Sequence, residues 1–214
     1  MITVKRYDEN MLQENTYVLM NSETNQGMII DPGCYTPAMK KELQNMAELK
    51  YIILTHAHGD HMGALNAIRR DYPDAVLIAG AKERNLLLDA ENNGSMEFSP
   101  EPVSTEADRY VSEGDSVTLG SIEFTFMETP GHTEGGICIC GDGKIFTGDT
   151  LFFRSIGRTD LYSGNMEQMR KSLQKLMRLS DEIQVLPGHG PGTSIGAEKK
   201  GNPFVYILSK RNQK

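Results

Sequence analysis

"THAHGDHMG", residues 55–63, holds three of the chain's five histidines and an aspartate. It directly follows Tyr51-Ile52-Ile53-Leu54, an apolar run that reads as a short buried strand. Titratable side chains crowded at a strand end point to a metal site. His56 and His58 are two residues apart, so in an extended segment they project to the same side and reach one ion. Asp60 and His61 are adjacent where the chain turns into a helix, and they point elsewhere. A second ion close to the first is the economical explanation.

The remaining histidines test this idea. His132 lies in "ETPGHTEGG" (128–136) and His189 in "LPGHGPG" (186–192), each after a β-type run and between small residues. Asp149, in "FTGDT" (146–150), has the same placement. A single histidine is usually a surface or satisfied core residue, but here all five fall at strand ends. The candidate ligands are therefore His56, His58, Asp60, His61, His132, Asp149 and His189. Imidazole and carboxylate donors suit zinc, and also iron or manganese. A structural zinc site is closed by four protein ligands. Seven ligands over two ions leave a position for water or substrate unless a carboxylate bridges, and open positions imply catalysis.

The elements around these motifs alternate. "ITVKRY", "NTYVLM" and "GMIIDPG" read as strands, with a hairpin turn at "ETNQG". "TPAMKKELQNMAELK" reads as a helix capped by Thr36, with Pro37 at its first position and Leu43, Met46 and Ala47 on its apolar stripe. A helix from about Gly63 through "ALNAIRR", a strand "AVLIAG" and a helix "KERNLLLDA" follow. Residues 92–106 are polar with two prolines, and form a surface loop that is either a connector or a lid. The second half restarts with "SVTLG", "SIEFTFMETPG" and "GICICGDGKIFTGD", with turns at Gly120-Ser121 and Asp142-Gly143. "NMEQMRKSLQKLMRLS" is an amphipathic helix capped by Asn165, with Met166, Met169, Leu173, Leu176 and Met177 on one face. "IQVLPGHG" is a last strand, and a short final helix is expected from about Pro203. The expectation is one domain, residues 1–214, of two similar halves, roughly 1–105 and 106–214. Its fold class is α/β (α+β), with sheets covered by helices.

The bulk numbers narrow the partners. A net charge of −7 and a pI near 5.3 disfavour a general nucleic-acid binder, which needs a basic face. Cys34, Cys138 and Cys140 show no paired framework, which fits a reducing cytoplasm and buried, inert thiols. With neither a basic-apolar leader nor a run of about 18 apolar residues, no membrane anchor is expected.

Taken together, "THAHGDHMG", "GHTEGG", "FTGDT" and "PGHG" resemble the successive metal motifs of the metallo-β-lactamase superfamily, in order. "IIDPG", "GDTLFFRSIGRTDL" and "PGHGPGTSIGAEKKGNPF" are similar to its short-chain, glyoxalase II-like (hydroxyacylglutathione hydrolase-like) branch. The resemblance spans nearly the whole chain. It implies a four-layer αβ/βα sandwich with the metals at one edge. It implies His56, His58 and His132 on the first ion, Asp60, His61 and His189 on the second, and Asp149 bridging. It further implies a thioester hydrolase using a metal-bridging hydroxide that Asp60 orients, with two divalent ions, zinc first.

Arg158 is the substrate-binding candidate, aimed at a carboxylate, although a pair with Asp160 is an equal reading. Tyr162 is placed at the same mouth, and Asp31 is either support for a ligand or a plain turn residue. Full-length glyoxalase II enzymes have a further C-terminal helical region, whereas about 25 residues follow His189 here. The expected partner is therefore a small thioester or ester, and its link to glutathione stays open. The competing readings are a mononuclear iron persulfide dioxygenase using His56, His132 and Asp149, a lactamase or lactonase, and a non-catalytic metal-binding domain. The last predicts closed coordination without a deep cleft. Oligomeric state is not legible.

Overall fold

The computed structural model describes residues 1–206. A first six-stranded sheet is built from β1 (Ile2–Tyr7), β2 (Thr16–Asn21), β3 (Gln26–Ile30), β4 (Glu48–Ile53), β5 (Val76–Gly80) and β6 (Arg109–Val111), ordered 1-2-3-4-5-6. Its first two pairings are antiparallel and its last three parallel. The second half supplies β7 (Ser116–Leu119), β8 (Ile122–Glu128), β9 (Ile137–Gly141) and β10 (Lys144–Gly148). A small ribbon, β11 (Leu151–Phe152) and β12 (Ser155–Ile156), precedes β13 (Gln184–Pro187) and β14 (Thr193–Ser194). The second sheet runs 14-13-10-9-8-7, with β10 and β13 parallel. The change between sheets falls after Val111, beyond the 105/106 division, because "RYV" pairs with β5.

Three apolar layers define the stack. Between the sheets, Leu19, Met28, Ile30, Ile53 and Ile78 meet Phe124, Phe126, Ile139 and Phe146. Outside the first sheet, Ile29, Ile52 and Leu77 pack on α1 (Pro37–Gln44) and α2 (Leu65–Asp71), through Met39, Leu43, Leu65 and Ile68. Two single turns follow, α3 (Arg84–Leu87) and α4 (Ser95–Phe98). Outside the second sheet, Cys138, Ile145 and Val185 pack on α5 (Met166–Leu176) and α6 (Ile195–Gly201). Helix, sheet, sheet, helix is the four-layer αβ/βα sandwich.

Local chemistry explains the elements. Met28–Ile30 and Ile52–Ile53 are fully buried, as expected of parallel strands covered on both faces. β8 alternates instead, sending Phe124 and Phe126 inward. Each such buried side chain contributes about 1.5–3 kcal/mol. Thr36 accepts from the Met39 amide, and Asn165 accepts from the Glu167 and Gln168 amides, so both expected caps are in place. On α5, Met169, Leu173 and Leu176 are buried, while Met166, on the same face but at the first position of the helix, is 41% exposed.

Other boundaries moved. "KERNLLLDA" forms a 3₁₀ turn and a single α turn rather than a helix. α6 begins at Ile195, where Ser194 caps it, a helix that the sequence reading did not place; the expected final helix does start at Pro203, with residues 203–206 helical. The rest of that expected final helix, from residue 207, lies outside the described residues. No helix among the described residues is long and apolar enough to cross a membrane.

Topology places the motifs together. β3, β4, β10 and β13 end at the same edge of the two sheets, and a ligand site outside the carboxyl ends of parallel strands follows. A bulge at Phe146/Gly148 sets Gly148 opposite Pro187, so Asp149 and His189 leave their strands side by side.

Candidate metal centre

Five histidines separated by up to 133 positions converge at that edge. Ring centroids lie 4.8 Å apart for His56 and His58, 4.7 Å for His56 and His132, and 4.6 Å for His58 and His132. His61 sits 4.1 Å from His56 and 5.3 Å from His189. Ligand atoms form compact groups: His56, His58 and His132; Asp60, His61 and His189; and His56, His61 and Asp149. Asp149 reaches both sides, with one oxygen 3.3 Å from His61 Nε2 and the other 3.4 Å from His132 Nε2 and 3.7 Å from His189 Nε2.

The site asks for cations. Among the described residues, His56 Nε2, His58 Nε2, His61 Nε2 and Asp149 Oδ1 are buried without a hydrogen-bond partner. Orphaned buried polar atoms are costly and rare in folded proteins, and four in one cluster fit missing ligand bonds. Electrostatics agree. Burial, then the neighbouring rings, pushes His56 well below the usual imidazole range, and burial with His132 takes His58 down to about 3. Both are neutral donors, as metal ligation requires. Burial opposes charge on His61, but Asp60, Asp149 and Asp31 outweigh it and raise its imidazole well above the ordinary value. Burial likewise opposes charge on Asp149, yet His61, His132 and His189 hold its carboxyl far down. Without metal, a proton on His61 does part of the work of a cation.

A network behind the ligands fixes the ring orientations. Asp31, at φ 51°, accepts from the Thr55 amide at 2.7 Å, the Thr55 hydroxyl at 2.6 Å and His61 Nδ1 at 3.0 Å. With its proton committed to Asp31, Thr55 Oγ1 accepts from His56 Nδ1 at 3.1 Å. One carboxylate thus fixes the tautomers of His61 directly and His56 through a hydroxyl, turning each Nε2 lone pair into the site. His132 Nδ1 donates to the Arg158 carbonyl at 2.7 Å, so Arg158 serves the centre through its backbone. Glu14 was not legible from the sequence. It is fully buried, burial pushes its carboxyl well up, and its Oε1 lies 3.9 Å from His61 Nδ1. Next to it, Asn15 donates to the Gly188 carbonyl through its amide and to Pro187 through its side chain, latching the loop that carries His189.

The 92–106 loop is more than a connector. Gly59 N donates to the Asn93 carbonyl at 2.7 Å, and Ser99 Oγ donates to the Gly59 carbonyl at 2.8 Å, clamping the loop on the histidine motif. Together they bound a cavity of about 660 Å³ whose floor includes His58, Asp60, His132, Asp149 and His189. Arg158 and Tyr162 line its mouth, and the Arg158 guanidinium is engaged by Asp160. A cleft of this size, open onto the ligands, is the opposite of the closed site that a non-catalytic reading predicts.

Side-chain clusters that could hold divalent metals beneath an open cleft fit a metal-dependent hydrolase. The profile of the Metallo-beta-lactamase superfamily matches residues 10–189, and the chain belongs to that superfamily. The hydroxyacylglutathione hydrolase GloC of Haemophilus influenzae is 34% identical over 204 residues, covering 92% of this chain and 95% of its own. The crystal structure of the B3 metallo-beta-lactamase BLEG-1 superposes with a TM-score of 0.85 at 35% identity, over 95% of this chain and 99% of that one. TTHA1623, solved in a di-iron-bound form, superposes with a TM-score of 0.80 at 31% identity, over 94% and 100%.

Proposed function

We propose that the protein is a binuclear thioester hydrolase, with His56, His58 and His132 holding one ion, Asp60, His61 and His189 the other, and Asp149 between them. The observation that carries this reading is the cluster of orphaned ligand atoms on the floor of a substrate-sized cleft. The similarity of the chain to the hydroxyacylglutathione hydrolase GloC supports thioester chemistry. When bound, two divalent ions supply Lewis acidity for a carbonyl oxygen and lower the pKa of a water to about 7.

The chain's own residues do the rest. Asp60, 14% exposed on its side chain, faces the cleft 3.2 Å from His189 Nε2, where its carboxylate ligates and orients the attacking water. Thr55, Asp31 and the Arg158 carbonyl accept at Nδ1 of His56, His61 and His132, so that each ring turns its Nε2 toward the site. Every histidine is committed to the ligand set, so none is left to protonate a leaving group. A thiol, with pKa near 8.5, departs as a thiolate without that help. Arg158 and Tyr162 contact substrate at the mouth. Zinc is the expected metal, and three unpaired cysteines fit the cytoplasm.

The test is Asp149→Ala, read by metal analysis and thioester hydrolysis together. Both should be lost, and full turnover without metal would refute the scheme. One iron per chain with oxygen consumption would replace it with the dioxygenase reading.

A further inference from the structure

Resting on the thioester reading, the cleft walls also narrow the substrate. Leu12 (42% exposed), Phe98 (39%), Leu161 (41%) and Tyr162 (50%) line one cavity, an apolar concentration around a single opening. The charges on the wall are Arg158, Glu91 and Glu97. Arg158 is neutralised by its neighbour: Nε donates to Asp160 Oδ1 at 2.8 Å and Nη2 to Oδ2 at 2.9 Å. A bidentate guanidinium–carboxylate pair leaves little for a second carboxylate. Glu91 and Glu97 are exposed and take part in none of the ion pairs among the described residues. The outer cleft is therefore apolar with net negative charge, whereas the floor supplies the positive charge that metals bring.

We propose that this cleft selects an apolar acyl thioester whose thiol half is uncharged or cationic, and that anionic thiols such as glutathione are poor carriers. An anionic thiol meets two unpaired carboxylates and a cation already engaged. A cationic thiol meets those carboxylates favourably, and an aromatic face at Tyr162 or Phe98.

The experiment compares zinc-loaded protein on butyrylthiocholine (cationic), S-butyryl-N-acetylcysteamine (neutral) and S-butyrylglutathione (anionic). Exposed charge pairs are worth up to several-fold each, so kcat/KM should be several-fold, up to about tenfold, higher for the first two than for the third. Glu91→Gln combined with Glu97→Gln should remove the advantage of the cation over the neutral ester. Asp160→Asn, which frees Arg158, should raise the glutathione ester several-fold. Calorimetry gives a readout without turnover: hexyltrimethylammonium should bind about tenfold tighter than S-hexylglutathione. Equal or tighter S-hexylglutathione binding, or a preference for the glutathione ester, overturns the inference. If no thioester is hydrolysed yet the cation binds tighter, the cleft inference stands and the thioesterase reading falls.

Discussion

Asp31→Asn isolates one charge at the hub of the centre. Position 31 has φ 51°, a left-handed conformation that asparagine tolerates well, so the backbone has no reason to move. What changes is the acceptor count. Asp31 Oδ1 receives the Thr55 amide, and Oδ2 receives both the Thr55 hydroxyl and His61 Nδ1. An asparagine that keeps its oxygen on the Thr55 amide presents an NH2 group to two donors. Thr55 must then turn its proton toward His56 Nδ1, and His61 must surrender its Nδ1 proton. Both rings are forced to protonate Nε2, the atom that faces the metals. The flipped amide instead sets its NH2 against the Thr55 amide, leaving a buried donor unpaired at about 1–3 kcal/mol. Loss of a partner that orients a metal-bound histidine typically costs about 10–100-fold in metal affinity. In the proposed arrangement it strikes one ligand of each ion, so both dissociation constants should rise by about that factor. Zinc titration against a chromogenic chelator measures them, and urea unfolding of metal-free protein reports the folding cost. Thr55→Val is the control: it cuts the path to His56, leaves the bond from His61, and weakens the first ion more than the second. Wild-type affinity at both ions in Asp31→Asn would refute the hub.

Two further changes probe the surroundings. Glu83 is 1% exposed and receives the Thr133 hydroxyl beside His132; burial lifts its carboxyl from the ordinary 4.5 to about 7. A folded value raised this way gives stability that is fully present below pH 4.5 and lost as pH rises through 7, a difference of about 3 kcal/mol. Glu83→Gln removes the charge and keeps the acceptor, so urea unfolding should show a gain at pH 8 of up to that size and little change near pH 5; equal shifts at both pH values would contradict it. Gly188→Ala puts a methyl group against Asp149 Oδ1 and 2.7 Å from His61 Cε1. Metal analysis after desalting should show fewer than two ions per chain, and full occupancy would rule out this crowding.

The fold was legible where sequence carried periodicity. Continuous apolar runs at Met28–Ile30 and Ile52–Leu54 marked strands, which the structure pairs in parallel and buries, and Thr36-Pro37 and Asn165 marked helix starts with caps that the structure contains. It failed where tertiary contacts override local preference. "KERNLLLDA" has the composition of a helix, but Gly135 packs against the backbone at Lys82 and Glu83, and Glu83 must turn inward to Thr133, so only single turns form. "RYV" was too short to read as a strand, yet Asp108 accepts from the Leu77 amide and starts it along β5.

The candidate ligands, which the structure brings together, were legible for a different reason. Metal-binding side chains must emerge from strand ends, and glycine must clear space beside them, so chemistry and spacing sit in the same short words. The groups that orient them obey no such rule. Asp31 directly follows β3, Thr55 opens the motif without being a metal donor, and Glu14 arrives from the β1–β2 loop; they meet His56 and His61 only because β2, β3 and β4 are neighbours in one sheet. Asp31 was visible as a candidate but equally as a turn residue, since its left-handed backbone supports both roles. Glu14 stands in "MLQENTY", a stretch with no spacing signal, and only the complete burial of an acid there shows that it belongs to the centre. Tuning residues of this kind are written in sheet order, a property of the fold that no local window of sequence contains.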